Sequence, residues 1–264
     1  MNSLLLFLIR ILDFYTLIIF FYVVVSWLFH FNILNSQNVF LWKIYKSFQK
    51  LTDPPLNYIR RYLPTFGGID ILINNASAIG LTMIEDTTMK RYDLMHNINV
   101  RGTFMVSKAC IPHLKKGNNP HILTLSPPID MDPKWFGSHV GYTMAKYTMS
   151  MCVLGMAEEF KDQGVAVNAL WPRTAIATAA VQNHLGGDEI MRLSRNVDIM
   201  ADAAYTILTK DSKTFSGNFC IDDIVLFEAG VKDFTKYANV PFAELMPDFF
   251  VPDNTPLPDE VKNS

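Results

Sequence analysis

One apolar run near the start of the chain restricts what it can fold into more than any other feature. Residues 4–31 read LLLFLIRILDFYTLIIFFYVVVSWLFHF, and no side chain between Phe14 and Phe29 is charged. About 20 apolar residues in a helix are enough to cross a bilayer. A cleaved signal peptide is the alternative, but it needs a basic start, a shorter apolar core and a small-residue cleavage site, which this run lacks. The run therefore predicts a retained membrane helix.

Basic residues after this run predict which way it is oriented. They are Lys43, Lys46, Lys50, Arg60 and Arg61. Because loops rich in lysine and arginine stay on the cytoplasmic side, we expect a single-pass or N-terminally anchored protein with its C-terminal domain on that side. The three lysines belong to an amphipathic stretch, Val39–Leu51, which predicts a second helix. That helix either lies on the membrane surface or packs against the first one.

Charge and cysteine content exclude several classes of protein. The 264 residues include 23 basic and 25 acidic side chains, so no strong positive field exists to attract nucleic acid. The three cysteines, Cys110, Cys152 and Cys220, are far apart and odd in number. This spacing favours neither a disulfide framework nor a structural metal site. We expect no metal and no nucleic acid partner.

The pattern changes near residue 66 to short strands alternating with helices. Strands are predicted at Ile69–Asn74, His121–Leu125, Val165–Leu170 and Phe219–Ile221. Helices are predicted at Glu85–Asn97, Val100–Leu114, Val140–Asp162 and Ile199–Thr209. This alternation indicates an α/β fold with a parallel sheet of about four strands. We expect a membrane segment over 1–66, an α/β domain over 67–250 and an irregular tail over 251–264.

A tyrosine and a lysine in the segment YTMAK are the first candidates for chemistry. Tyr142 and Lys146 are four residues apart and share one face of a predicted helix. An ammonium group beside a phenol lowers the pKa of the phenol. A tyrosine with a lowered pKa can act as a general acid or base near neutral pH. Because this spacing is also common on ordinary helix surfaces, the surrounding segments decide its meaning.

Four further segments surround this pair in a fixed order. Asn74–Ser77 (NNAS) follows the first predicted strand, Asn99 lies in NVRG, Ser126 follows the second strand and Pro172 follows the third. With YxxxK, this order resembles the short-chain dehydrogenase/reductase family over about residues 67–250. SPPIDMDPKWF and VNALWPRTAI resemble its hydroxysteroid dehydrogenase-like branch. The resemblance implies a Rossmann-like fold and an oxidoreductase that uses NADP(H) on a carbonyl or alcohol of lipid-like or steroid-like character.

The resemblance also implies a role for each matching residue. Tyr142 would donate or accept a proton at the substrate oxygen, and Lys146 would hold the cofactor ribose. Ser126 would orient the substrate oxygen, and Asn99 would support a proton-relay water. The residues implied in cofactor binding are Asn74, Ala76, Tyr142, Lys146, Pro172 and Thr174.

Three features depart from the family pattern. Ser126 lies sixteen positions before Tyr142, a longer interval than the family usually has, and Arg173 stands where the family usually has glycine. The TGxxxGxG turn, whose glycines let the pyrophosphate approach a helix N-terminus, is missing. Residues 1–66, which stand in place of the family's first three strands, contain no glycine. We therefore expect weak or absent dinucleotide binding and impaired activity.

The loss of those strands also predicts how the domain associates. In the family's strand order, the segment Ile69–Asn74 would lie beside the missing first strand. An apolar strand edge without a neighbour tends to pair with another chain. We therefore expect self-association through Ile69–Asn74.

The N-terminal part resembles a second family. Residues 9–70 carry ILDFYTLIIFFYVVVSWL and LTDPPLNYIRRYLPTFGGID, which resemble the YggT family of small bacterial membrane proteins. The match stops where the first dehydrogenase-like strand starts, so Gly67–Asp70 is the crossover that the sequence indicates. The chain has the form of a fusion, either genuine or introduced by assembly or gene prediction. A non-enzymatic, membrane-anchored protein is the alternative function.

Overall fold

The computed structural model describes Lys43, Lys46, Lys50 and residues 68–264. The chain divides into two compact units, Met1–Phe66 and Gly67–Ser264. In the first unit the three lysines are helical and exposed. The predicted membrane helix lies outside the described residues, as does most of the predicted amphipathic helix. Within the part that is described, no helix is long and apolar enough to cross a membrane.

Four parallel strands form the sheet of the second unit. They are β1 (Ile71–Asn74), β2 (His121–Thr124), β3 (Ala166–Trp171) and β4 (Phe219–Ile221). They are arranged in the order β1-β2-β3-β4, and every neighbouring pair is parallel. β2 and β3 are buried along their whole length, as expected for the inner strands of a parallel sheet that is covered on both faces. The predicted parallel α/β sheet is confirmed.

Helices connect the strands of this unit. They are α1 (Met89–Met95), α2 (Thr103–Leu114), α3 (Lys134–Gly137), α4 (Val140–Glu159), α5 (Ala179–His184), α6 (Gly187–Arg192), α7 (Asp198–Leu208), α8 (Asp222–Glu228) and α9 (Asp259–Lys262). A π-helix, His96–Gly102, joins α1 to α2. Short 3-10 turns lie at Lys161–Gln163, Thr235–Tyr237 and Phe242–Glu244.

The long helices match the sequence predictions better than the short ones. α1 begins at Met89 rather than Glu85, because the Thr88 hydroxyl accepts a hydrogen bond from the Arg91 backbone N–H and caps the helix there. The sequence pattern indicated none of α3, α5, α6 or α8. It also placed an irregular tail where α9 forms.

The core lies on both faces of the sheet. Alternate residues of a strand point to opposite faces, so Ile122 and Leu123 of β2 enter different clusters. One cluster packs β2 and β3 against α2 and α4 through Ile111, Leu114, Ile122, Val153 and Val167. The other packs the opposite face against α7 and α8 through Leu123, Leu170, Ile199, Ile207 and Leu226. Two helical layers around one parallel sheet form a doubly wound architecture.

The carboxyl ends of the strands meet a segment from the C-terminal region. The Ala175 N–H donates to the Met246 carbonyl at 2.8 Å, and the Asp248 N–H donates to the Arg173 carbonyl at 3.0 Å. Ligands of open α/β sheets bind at this edge, beyond the carboxyl ends of the strands.

Candidate active site

A cavity of about 540 Å³ opens at the carboxyl ends of the strands. Its polar lining side chains include Asn75, Ser77, Tyr142, Lys146 and Asp248. Its apolar wall includes Leu125, Trp171, Ile176, Val181, Met200 and Phe249. The loop after β1, the end of β2, the loop after β3 and the start of α4 therefore contribute to one site.

Tyr142 lies in the first turn of α4 and is buried. Its ring packs against those of His139 and Phe250, with centroids 6.0 Å away in each case. Burial raises the pKa of the Tyr142 phenol above its ordinary value, and the nearby charge of Asp248 raises it further. The lowered pKa that the sequence predicts for this tyrosine is not found in this structure, because removal from water and the charge of Asp248 both raise it.

Lys146 lies one helical turn after Tyr142 and is buried in the same wall. Its Nζ donates to the Leu125 carbonyl at 3.0 Å and lies 4.9 Å from the centre of the Trp171 ring. Burial lowers the pKa of this ammonium group to about 8, and the charge of Asp248 opposes that shift. The pair of Tyr142 and Lys146 therefore faces one cavity, as the shared helix face predicts.

Ser126 directly follows Leu125, which lines the cavity, but Ser126 itself does not line it. The described residues that line the cavity include Leu125 and not Ser126. The Ser126 side chain is fully buried, and its Oγ has no hydrogen-bond partner in the described part of the chain. Its implied role in orienting the substrate oxygen stays a prediction without a supporting contact.

Asn99 lies in the π-helix and binds the loop after β1 through its side chain. Its Oδ1 accepts from the Ala78 N–H at 2.7 Å, and its Nδ2 donates to the Ala78 carbonyl at 3.0 Å. These two bonds hold the loop after β1, from which Asn75 and Ser77 reach the cavity. Asn99 is thus a positioning residue for this loop.

The cofactor residues implied by the resemblance are only partly brought together. Pro172 lines the cavity with Tyr142 and Lys146. Asn74 instead ties the end of β1 to α2, because its Nδ2 donates to the Ser107 Oγ at 3.0 Å. Ala76 is exposed, and Thr174 is buried and bridges through its backbone to Pro247.

Asp248 is a functional candidate that the sequence analysis did not find. It lies in the cavity wall near Lys146, and its Oδ1 accepts from the Phe249 N–H at 2.6 Å. Burial raises the pKa of this carboxyl group to about 7, while the Phe249 N–H and Lys146 oppose the shift. No sequence signal marks this residue, because it stands far from every motif and reaches the cavity only through the docking of the C-terminal segment.

The fold and the site define a class of protein: a doubly wound α/β domain with a tyrosine–lysine pair in a cavity at the strand ends. The short chain dehydrogenase family model matches residues 56–186. A putative dehydrogenase from Xanthomonas campestris is 51% identical, with a TM-score of 0.68 over 75% of this chain and 72% of that one. A short chain dehydrogenase from Mycobacterium thermoresistibile is 53% identical, with a TM-score of 0.67 over 76% and 71%. The chain belongs to the short-chain dehydrogenase family.

The remaining comparisons describe the two parts of the chain. Hydroxysteroid dehydrogenase-like protein 2 from Bos taurus is 58% identical over 193 residues, which cover 73% of this chain and 46% of that protein. The Mus musculus protein of the same name is 56% identical over 206 residues, covering 78% and 41%. This chain therefore spans less than half the length of these relatives. The CCB3/YggT family model matches residues 1–73, so both predicted resemblances are confirmed.

Proposed function

We propose that the second unit is a short-chain oxidoreductase that interconverts a carbonyl and an alcohol with NADP(H). The observation that supports this most strongly is the presence of Tyr142 and Lys146 on one wall of a single cavity. Family membership supports the same reaction class.

The two residues have complementary tasks in this proposal. The Tyr142 phenol is protonated at neutral pH and can donate its proton to a substrate carbonyl oxygen, but its raised pKa makes it a weaker acid than an ordinary tyrosine. In the opposite direction it takes the proton back from the alcohol. Lys146 holds its ammonium group at the cavity wall, where it would bind the ribose hydroxyls. The hydride at the substrate carbon would come from, or go to, a nicotinamide bound beside Tyr142 and Lys146.

The site has residues that suit the nicotinamide end of the cofactor, but the sequence lacks the turn that would bind its pyrophosphate. Tyr142, Lys146 and Asn75 surround space that suits a nicotinamide and its ribose. A pyrophosphate needs a glycine-rich turn at a helix N-terminus. Within residues 68–264 no TGxxxGxG sequence follows any strand, and residues 1–66 contain no glycine. We therefore expect this chain to bind the dinucleotide weakly and to turn over slowly.

A titration of the purified full chain with NADPH tests the binding part of this proposal. We expect a Kd of the order of 1 mM, which corresponds to roughly −4 kcal/mol. Tight, stoichiometric binding would contradict the expected defect.

Reduction of an apolar diketone such as benzil by NADPH tests the chemical part. Tyr142→Phe removes the proton donor and should lower the rate by about 100-fold or more. Tyr205→Phe, at an exposed position of α7, is the matched control and should leave the rate within about twofold. A rate that Tyr142→Phe does not change would exclude this mechanism.

We propose as a second candidate a membrane-anchored protein whose second unit is not catalytic. The CCB3/YggT match over residues 1–73 supports membrane association, with the second unit on the cytoplasmic side. Retention of the full chain in membranes after a carbonate wash, together with no NADPH binding, would favour it. A wholly soluble chain would contradict it.

The two family matches overlap at residues 56–73, where a genuine fusion and a chimera must be distinguished. Sequencing one transcript and the genomic DNA across the codons for Tyr58 to Leu81 does this. A continuous read in both would establish the fusion. Separate reads for the two parts would identify a chimera.

A further inference from the structure

A carboxylate that the proposed chemistry does not use lines the same cavity as the tyrosine and lysine. Asp248 belongs to the segment 246–251, which is held firmly against the strand ends. Besides the two backbone bonds to Arg173 and Ala175, the Trp171 Nε1–H donates to the Phe249 carbonyl at 2.7 Å. Phe250 is fully buried directly after it. The Asp248 carboxylate is therefore a fixed part of the wall.

Lys146 is the cation that faces Asp248. The other titratable groups close to the carboxylate are the Tyr142 phenol and the Asp222 carboxyl group. His139 packs on the Phe249 ring, with centroids 5.0 Å apart. The Arg173 guanidinium is already engaged by Asp223 and the Pro256 carbonyl. Among the described residues, Asp248 is the carboxylate whose charge acts on the Lys146 ammonium group.

The remainder of the wall is apolar. Leu125, Trp171, Ile176, Val181, Met200 and Phe249 contribute to it. A ligand with an apolar body fits this surface, because burying apolar area is favourable. Its polar end would meet Tyr142 and Asp248.

We propose that Asp248 determines the substrate class: the cavity admits uncharged apolar alcohols and ketones and rejects carboxylates of the same shape. A ligand carboxylate would face the like charge of Asp248, which also offsets the attraction of the Lys146 ammonium group. An alcohol can instead donate a hydrogen bond to the carboxylate. The inference rests on the proposed function for the reacting group, but the discrimination itself is a property of binding.

The discrimination should depend on pH. Burial raises the pKa of Asp248 to about 7, so this group loses its charge at mildly acidic pH. A fatty carboxylate remains ionised there, since carboxylates in water have pKa values near about 4. The rejection of carboxylates should therefore be strong at about pH 8 and weak at about pH 6.

Calorimetric titration of the full chain with decanol and with decanoate tests the proposal. At about pH 8 the wild type should bind decanol about tenfold more tightly than decanoate, since one charge contact of this kind is worth at least that factor. Asp248→Asn should bring the two affinities closer together and leave only the pH dependence that the Lys146 ammonium group contributes, since the pKa of that group is about 8. Unchanged decanol binding by this variant would show that its cavity is intact.

Asp253→Asn is the matched control, because Asp253 lies in the same C-terminal region but pairs with Lys134 at the surface. It should keep the wild-type preference. Equal wild-type affinities, a preference that Asp248→Asn leaves unchanged, or no binding of either probe would each overturn the proposal. Intact discrimination without any NADPH-dependent turnover would overturn the proposed function alone.

Discussion

Arg173 stands where the family usually has a glycine, and its contacts explain how the chain accommodates it. Its Nε donates to the Asp223 Oδ2 at 2.7 Å, and the Arg195 Nη1 donates to the same oxygen at 3.0 Å. Asp222 and Asp223 are fully buried beside the two arginines. Burial raises the pKa of Asp222, and the charge of Asp223 adds to the shift. Such a cluster survives in the interior only while its charges remain paired.

Asp223→Asn should therefore destabilise the second unit strongly. The substitution leaves two arginine side chains facing one remaining carboxyl group, and breaking a buried ion pair costs about 3–5 kcal/mol. Urea unfolding followed by tryptophan fluorescence measures the loss. Asp253→Asn removes an exposed ion pair with Lys134 and should leave the midpoint unchanged. Equal effects of the two substitutions would contradict the role of the buried cluster.

The raised pKa of Asp248 predicts a pH dependence of stability. The folded state holds this proton up to about pH 7, whereas the unfolded chain releases it near the ordinary value of 3.8. Between those values the folded state binds more protons, so stability falls as the pH rises. The Tm of the wild type, relative to that of Asp248→Asn, should decline between about pH 4 and about pH 7 and level off above that. Parallel Tm curves for the two proteins would contradict this.

At the scale of elements, the π-helix between α1 and α2 carries a side chain that holds a loop of the candidate site. Its wider turn is uncommon and is often found at functional sites. It carries Asn99, whose side chain satisfies both backbone groups of Ala78. The sequence pattern placed a boundary between two helices here but gave no indication of the contact with the loop after β1.

Asn99→Ala should loosen that loop. It leaves the Ala78 N–H and carbonyl without their partners, at a cost of about 1–3 kcal/mol for each group that stays buried. Hydrogen exchange at residues 76–80 should become faster than in the wild type. Asn97→Ala, at an exposed position of the same π-helix, is the control and should not change the exchange. Unchanged exchange in Asn99→Ala would show that other contacts hold the loop.

At the scale of the whole molecule, β1 is the least protected strand of the described sheet. Within residues 68–264 it pairs with β2 alone. Ile71 and Ile73 are each 47% exposed, whereas Leu72 packs on the core beneath α2. An apolar strand edge of this kind favours pairing with another chain. We therefore propose self-association through Ile69–Asn74.

Replacing Ile71 and Ile73 together by lysine should reduce self-association. Charged side chains on an edge strand oppose edge-to-edge pairing. Light scattering after size exclusion should give a larger mass for the wild type than for the double variant. Tyr205→Lys, which changes an exposed aromatic residue on α7, should leave the mass unchanged. A wild type that is monomeric throughout would contradict the proposal.

The sequence by itself determined the family resemblance, the four strands, the long helices and the shared face of Tyr142 and Lys146. Each of these depends on periodicity or on spacing within a few turns, which is local information. The sequence pattern did not predict the short helices, because four to seven residues are too few to show a helical periodicity. The resemblance of the N-terminal residues to the YggT family was likewise evident from the sequence alone.

Only the tertiary structure decided which side chains share the cavity. Asp248 comes from the C-terminal segment, Arg173 pairs with Asp223 of α8, and Ser126 is buried outside the cavity lining. The same long-range packing raised the pKa of Tyr142, which spacing alone predicted to be lowered. Burial and pairing arise when distant parts of the chain exclude water together, so no local pattern in the sequence records them.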